Sequence, residues 1–220
     1  MRRPVPWWAL LSAGCAPVVL VTAWGVAEVL QGDGYDPARK TISVLASYGA
    51  PGYWLMTAAL LVLGACYVTI ACGLFPAALA GRAALAGGGV AAMGLTLAPA
   101  PPRGGDLGHG AVATIGFVLL AAWPVLAAER HEPHAPWGLR PHVAAWATAV
   151  MAAGAVFFLL SLLRGWAPGA VERALTFAQA LWPLLVVLSC DRDTVRVRRS
   201  PPAPPTPPQG PRGRGGRRPM

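Results

Sequence analysis

The sequence predicts an all-α, polytopic membrane protein: a six-transmembrane-helix bundle with a short outer amphipathic helix and a disordered C-terminal tail. Of its 220 residues, 55% are hydrophobic and only 12% are charged. The charged residues cluster between long uncharged runs, which is the pattern of transmembrane helices and not of a soluble core. A soluble α/β domain would instead show alternating strand patterns and charged helix faces. These observations favour a multi-pass protein of the cell membrane.

Six apolar runs define the predicted transmembrane domain, which covers residues 1–190. The predicted spans cover about 8–30, 54–75, 83–98, 107–128, 142–163 and 173–190. A signal peptide is the alternative for the first run, but the run continues well past Cys15, so we interpret it as an uncleaved span. The third run is short and contains Gly87-Gly88-Gly89. Because small residues let neighbouring membrane helices approach closely, we expect this span inside the bundle.

A long polar stretch, from Gly34 to Ser43, follows the first span. Asp36 suits a helix N-cap because its carboxylate can accept from the orphan amides of the first turn, and Pro37 suits the first helical position. The stretch therefore predicts an amphipathic helix from about Pro37 to Ser47, lying in the membrane interface. Its predicted polar face carries Asp36, Arg39, Lys40, Ser43 and Ser47. This face either covers the mouth of the bundle or lines a site.

The start of the fourth span carries a second polar motif. Asp106 is the predicted N-cap of this helix, and His109 lies in its first turn. A histidine there feels the positive end of the helix dipole, which favours the neutral imidazole. Such an imidazole could act as a base, accept a hydrogen bond or bind a metal. Asp106 could orient the ring or could only cap the helix.

The distribution of basic residues predicts which side of the membrane each loop faces. With six spans both termini share one side, and that side holds thirteen of the 18 basic residues, eight of them in the tail. The positive-inside rule therefore places both termini in the cytoplasm. It also places the predicted Asp36 helix and the turn from Asp106 to His109 together on the outer side.

These two motifs define one candidate outer-face site. Its residues are Asp36, Arg39, Ser43, Asp106 and His109. In a compact bundle the first, third and fourth helices can be neighbours, which would let Ser43 face His109 across a small cavity. Arg39 would offer its guanidinium to an anionic headgroup or a carboxylate. The alternatives are helix capping and packing alone, a ligand or ion site, and hydrolytic chemistry.

The C-terminal tail, residues 191–220, is rich in Pro, Arg and Gly. It cannot bury an apolar core, so we expect it to be disordered. Its arginines favour anionic lipid headgroups as partners, and its lack of aromatic residues argues against nucleic acid. The common catalytic and cofactor motifs are absent from the sequence, and the loose spacing of His131 and His134 indicates a solvated loop. We therefore predict no cofactor and no metal.

The order of several short motifs resembles that of a known family. The motifs are Tyr35-Asp36-Pro37, Thr41-Ile42-Ser43-Val44-Leu45, Gly49, Trp54 and Gly108-His109. Over roughly residues 8–190, this order resembles the bacterial integral-membrane family named domain of unknown function 998. The resemblance implies a six-helix membrane protein and matches Ser43 and His109 to the family's characteristic serine and histidine. It implies no activity, because none is established for the family.

The sequence supports two functional hypotheses. In the first, the protein binds or moves a lipid or small solute near the outer leaflet. In the second, it is a membrane-embedded hydrolase that uses His109 with Asp106 or Asp36. The partners expected are membrane lipids, with a lipid or small molecule as the ligand.

Overall fold

The computed structural model describes residues 4–101, 105–130 and 135–199. All regular secondary structure in these ranges is helical, which confirms the predicted all-α class. Within these ranges one 3-10 turn, Trp137–Leu139, precedes the sixth long helix. The helices are α1 (Trp7–Leu30), α2 (Ile42–Leu45), α3 (Tyr53–Gly73), α4 (Leu79–Gly94), α5 (Leu107–Ala127), α6 (Pro141–Arg164) and α7 (Pro168–Arg199).

The six longer helices form a closed ring in chain order. Each packs against the next, from α1 and α3 through to α6 and α7, and α7 then packs against α1. Short connections favour this arrangement, because they place consecutive helices side by side and antiparallel. The predicted third and fourth spans are therefore neighbours, whereas the main partners of α1 are α3 and α7.

Five of the helices, α1, α3, α5, α6 and α7, are long and apolar enough to cross a membrane. The protein is therefore a multi-pass membrane protein. The predicted third span corresponds to α4, which begins at Leu79 instead of residue 83 and has 16 residues. A helix of that length extends about 24 Å, which is less than the roughly 30 Å hydrocarbon core of a bilayer.

Glycines bring α4 close to its neighbours, as its triple-glycine segment predicts. A Cβ on Gly64 of α3 would collide with the Gly89 carbonyl, and a Cβ on Gly89 would lie 2.6 Å from the Gly64 carbonyl. A Cβ on Gly88 would lie 2.6 Å from a methyl group of Leu120 in α5. Small residues therefore let α4 approach α3 and α5 closely, but α4 has these two main neighbours in the ring and is not enclosed by the other helices as expected.

The last helix is longer than its predicted span of 173–190. It begins at Pro168, a residue whose fixed φ suits the first helical position, and it continues to Arg199. The next proline after Cys190 is Pro201, so nothing in the intervening sequence breaks the helix. The helix therefore extends nine residues into the segment predicted as tail, and residues 200–220 of that segment lie outside the described residues.

The predicted amphipathic helix from Pro37 to Ser47 is wrong in its extent. Only α2 is helical, and it follows a turn in which the amides of Arg39 and Lys40 both donate to the Asp36 carbonyl. The Asp36 carboxylate does cap this turn, because its Oδ1 accepts from the Ala38 amide at 3.0 Å.

Contacts with α7 explain why the turn does not continue as a helix. The carbonyls of Pro37 and Lys40 accept from the Arg173 guanidinium at 2.8 Å and 2.9 Å. The Ala38 carbonyl accepts from the Ala170 amide at 3.0 Å. A continuous helix would need these carbonyls for its own bonds four residues ahead. Tertiary contacts therefore override the local helix signal.

Candidate functional site

Glu172, in the first turns of α7, joins the short helix α2 to the bundle. Its side chain is buried, with a relative exposure of 4% for the residue. Its Oε1 accepts from the Ser43 hydroxyl at 3.1 Å, and its Oε2 accepts from the Ile42 amide. A buried carboxyl group without partners is costly, and hydrogen bonds to an ionised carboxylate are among the stronger ones. These two donors from α2 therefore stabilise Glu172 where it lies.

Arg173, the next residue, holds the loop that follows α1. Its Nε donates to the Glu28 carboxylate at 2.7 Å, and its Nη2 donates to the Tyr35 hydroxyl at 2.9 Å. Its Nη1 donates to three carbonyls, among them those of Pro37 and Lys40. Burial raises the pKa of the Tyr35 phenol, although the hydrogen bond from Arg173 acts in the opposite direction. The phenol therefore stays protonated at neutral pH.

A cavity of about 100 Å³ lies beside Glu172, and we call it the inner cavity. Helices α3, α4, α5 and α7 supply most of its walls, which are mainly apolar. A buried water needs roughly 10–15 Å³ of such space, so the inner cavity has room for several waters or one small polar group. Its polar lining residues are Ser43, Tyr67, His109, Glu172, Thr176 and Gln179.

A larger groove of about 510 Å³ lies between α5 and α6, and we call it the lateral groove. Ligand pockets typically measure about 300–1,000 Å³, so its size is sufficient for an organic ligand. Its walls include Val118, Val156, Leu159 and Leu162, whose side chains are exposed on the surface of the ring. The groove is therefore open sideways along the apolar surface. The residues that line both the groove and the inner cavity are Ser43, Ala100, His109, Ala113, Phe117 and Glu172.

His109 is held at the start of α5 by two contacts. Asp106 Oδ1 accepts from the His109 amide at 2.7 Å, which confirms the predicted N-cap. The ring Nδ1 lies 2.8 Å from the Ala98 carbonyl oxygen. A carbonyl oxygen can only accept, so Nδ1 carries the hydrogen. In the neutral ring, Nε2 then remains as an acceptor.

The structure brings together only part of the site that the sequence predicts. Ser43 and His109 line both cavities, and Asp106 lines the lateral groove. Asp36 and Arg39 line neither of the two. They form an exposed ion pair at 3.6 Å, with 80% of the Arg39 side chain in contact with solvent.

Glu172 was not among the predicted site residues, because it lies just before the sixth predicted span, which begins at residue 173. Three signals in the sequence point to it. Pro168 is a good first helical residue, and an acidic residue beside an apolar run deserves a functional hypothesis. Glu172, Thr176 and Gln179 also recur at helical spacing, which places them on one face of α7. Gln179 is buried, and its Nε2 donates to the Phe117 carbonyl of α5 at 3.2 Å.

Metal-binding side chains do not cluster in the part of the chain that the structure describes. No group of three or more His, Cys, Asp or Glu residues there could hold a metal ion. His131 and His134, which the sequence places in a solvated loop, lie outside the described residues.

The chain matches the sequence profile of a family described as a protein of unknown function, DUF998, over residues 14–189. This match covers most of the chain, from α1 to α7. The protein belongs to the DUF998 family. The matched region of this DUF998 protein includes Ser43, His109 and Glu172. The comparisons of this chain with curated proteins and with solved structures found no match.

Proposed function

We propose that this DUF998 protein binds an amphiphile, a lipid or a small molecule with an apolar chain, near the outer leaflet. The chain of the ligand lies in the lateral groove, and its polar end meets Ser43, His109 and Glu172. One observation carries the proposal. The groove is apolar where it opens sideways and polar where it reaches the inner cavity.

The loose packing of α6 supports access to this groove from the side. Only 11% of the residues in the apolar segment of α6 are buried, against 44% in α3. Local opening is easiest where few apolar contacts hold an element in place. An amphiphile in the membrane could therefore enter between α5 and α6 without crossing the core of the ring.

We also infer six crossings, with α4 as the short one, and cytoplasmic termini. Because α4 packs between α3 and α5, it runs through the membrane domain with them, and slight local thinning of the bilayer accommodates its length. The excess of arginines on the side of the termini supports the orientation. Under this topology the groove's polar end lies on the outer side.

A reporter enzyme that works only in the cytoplasm tests the orientation. Fused after Met220, it is expected to be active. Fused after Gly49, in the connection between α2 and α3, it is expected to be inactive. The reverse pattern would overturn the orientation, and activity in both fusions would overturn the six-crossing count.

Blocking the groove tests the function itself. Ala155 lines the groove, and Ala152 on the same helix is exposed and lines neither cavity. We expect Ala155→Trp to reduce the amount of co-purified amphiphile about tenfold, as measured by mass spectrometry of extracted lipids. The control, Ala152→Trp, is expected to retain the amount found in the unmodified protein. Equal retention by both variants would contradict binding in the groove.

The hydrolase hypothesis lacks comparable support. An acid that activates His109 would have to contact its ring, as the orienting acid does in a catalytic triad. The Asp106 carboxylate accepts from the backbone amide instead, and the ring contacts the Ala98 carbonyl. Asp36 is engaged at the surface with Arg39.

A further inference from the structure

We infer that the polar end of the ligand is a protonated amine, and not a phosphate or a carboxylate. This inference rests on the proposed function and adds the chemical class of the ligand. Around the two cavities, many hydrogen-bond donors are already bonded within the protein, whereas several acceptors remain.

The charged residues that line the cavities are acidic. Among the described residues, the linings of the inner cavity and the lateral groove include the carboxyl groups of Glu172 and Asp106 and contain no lysine or arginine. A site for phosphate or carboxylate would present guanidinium or ammonium groups, or free amides at the start of a helix. The cavity walls therefore disfavour an anionic group.

Among the described residues near the cavities, two arginines are engaged elsewhere, and Lys40, beside the groove residue Thr41, is exposed to solvent. A guanidinium has five N–H donors. Those of Arg173 contact the Glu28 carboxylate, the Tyr35 hydroxyl and three backbone carbonyls. Arg39 is mostly exposed and pairs with Asp36. Neither guanidinium is available to an anion in the groove.

The amides at the helix starts are occupied in the same way. At the start of α5, Asp106 accepts the His109 amide. At the start of α2, Glu172 accepts the Ile42 amide. At the start of α5 an anionic ligand would therefore meet the Asp106 carboxylate that already caps the helix.

Most of the unused hydrogen-bonding capacity around the inner cavity consists of acceptors, beside the Tyr67 hydroxyl and the second N–H of the Gln179 amide. Gln179 uses its Nε2 as a donor to Phe117, which leaves its amide oxygen. Thr176 donates its hydroxyl hydrogen to the Glu172 carbonyl at 2.8 Å, which leaves the oxygen lone pairs. His109 retains Nε2, and the Glu172 carboxyl oxygens keep lone pairs beyond the two that accept from the donors of α2.

A primary ammonium group complements this arrangement. It carries three donors, a positive charge and no acceptor, as the lysine side chain does. Placed beside Glu172, it would meet an acidic group together with the free acceptors of Thr176 and Gln179 on the same face of α7. The amine has two possible sources: the headgroup of an aminophospholipid, or a free single-chain amine in the membrane.

The test compares amphiphiles that share one chain and differ only in the polar end. The full-length protein in phosphatidylcholine nanodiscs is titrated with decylamine, N-acetyldecylamine and decyl phosphate, and empty nanodiscs correct for partitioning into lipid. We expect decylamine to bind about tenfold more tightly than either of the others. Equal or tighter binding of decyl phosphate, still abolished by Ala155→Trp, would overturn the amine inference and leave the proposed function standing. If no probe responds to Ala155→Trp, the proposed function itself fails.

Variants identify the group that recognises the amine. In Glu172→Gln the preference for decylamine over N-acetyldecylamine is expected to disappear, whereas in the control Asp36→Asn it should be unchanged. Thermal unfolding of both variants shows whether they are folded. If Glu172→Gln does not fold, the three-probe series on the unmodified protein still decides the inference. A preference that survives in folded Glu172→Gln would overturn the role of Glu172.

A final arm separates the two sources of the amine. Phosphatidylethanolamine replaces part of the phosphatidylcholine in the nanodiscs, and decylamine is titrated again. Competition by the ethanolamine lipid identifies a lipid headgroup as the source. Unchanged decylamine binding identifies a free amine, and both outcomes support the inference.

Discussion

The two ends of the helical ring are held together in different ways. At the end that carries the candidate site, charged side chains make the connections, with Glu172 bound to α2 and Arg173 bound to Glu28 and the first loop. At the opposite end, the Arg82 guanidinium of α4 donates to the carbonyls of Ala71 and Cys72, and direct bonds between backbone groups contribute as well. The Ala78 amide donates to the Ala127 carbonyl at 3.2 Å, and the Glu129 amide donates to the Leu139 carbonyl at 3.0 Å.

The packing of backbone against backbone can also be compared between the two ends. At the opposite end a Cβ on Gly81 would collide with the backbone of Ala127, and a Cβ on Gly138 would lie 3.0 Å from the Val186 Cα. At the site end two cavities separate the helices. Close backbone contact leaves no space for a ligand, whereas long polar side chains can connect elements across a gap. Both ends nevertheless contain close backbone contacts and a cavity, because a Cβ on Gly169 would collide with the Lys40 carbonyl at the site end, and a cavity of about 400 Å³ lies between α6 and α7 at the opposite end. The ends differ in the walls of these cavities: the carboxyl groups of Glu172 and Asp106 line those of the site end, whereas apolar residues and His142 line that of the opposite end.

Replacing Arg173 with Ala is expected to have the largest effect on stability. It leaves Glu28 unpaired in a mostly buried position and removes the donors that hold the first loop. Breaking a buried pair in this way typically costs about 3–5 kcal/mol. Thermal unfolding in detergent measures the loss. The control Arg164→Ala removes an arginine that packs over Trp166 at the end of α6, and a change of about 0.5–1 kcal/mol is expected. Equal losses of stability in the two variants would contradict a stabilising role for the bonds between Arg173, Glu28 and the first loop.

At the opposite end, Gly81→Ala is expected to destabilise the protein by about 1–3 kcal/mol, because its methyl group meets the Ala127 backbone, which cannot rotate away. Gly94→Ala, on the same helix, is the matched control. Its Cβ would lie 3.4 Å from a Val112 methyl, an ordinary contact, so little or no loss is expected. The free energy of unfolding of both variants gives the comparison. A loss of stability confined to Gly94→Ala would contradict close packing between Gly81 and the Ala127 backbone.

A pair of serine substitutions compares the two ends directly. Ser43 donates to the Glu172 carboxylate, and Ser189 accepts from the Gly138 amide while donating to the Val186 carbonyl. A buried polar group that loses its partner costs about 1–3 kcal/mol, and Glu172 is buried, whereas a typical neutral bond contributes about 1 kcal/mol. Ser43→Ala is therefore expected to cost about twice as much as Ser189→Ala in equilibrium unfolding. The opposite ranking would mean that Glu172 does not depend on the hydroxyl.

The smallest effect on stability is expected for His109→Ala. The cap of α5 uses the backbone amide of residue 109, so it survives, and the lost bond to Ala98 is worth about 1 kcal/mol. The amount of co-purified amphiphile should nevertheless fall, because the ring lines both cavities. His142→Ala on α6, outside both linings, is expected to retain it. A stability loss without any loss of ligand would assign His109 to packing alone.

Local sequence patterns were sufficient for much of the architecture. Hydropathy located the long helices, Asp106 identified the start of α5, and the triple glycine placed α4 among its neighbours. Each of these features depends on residues within a few positions of one another, because helix capping and helical spacing act over one or two turns. Ser43 and His109 were also found in this way, from short motifs at the ends of apolar runs.

Only the tertiary structure decided which polar groups meet. Ser43 and Glu172 lie 129 positions apart and become neighbours because α7 closes the ring beside α1. The same closure brings Arg173 to the first loop, where it captures the carbonyls that the predicted amphipathic helix would have used. Asp36 and Arg39 carry an equally suggestive pattern, yet they remain at the surface. Local patterns do not contain this information, because the partner of each polar group is set by the order in which the helices pack around the ring.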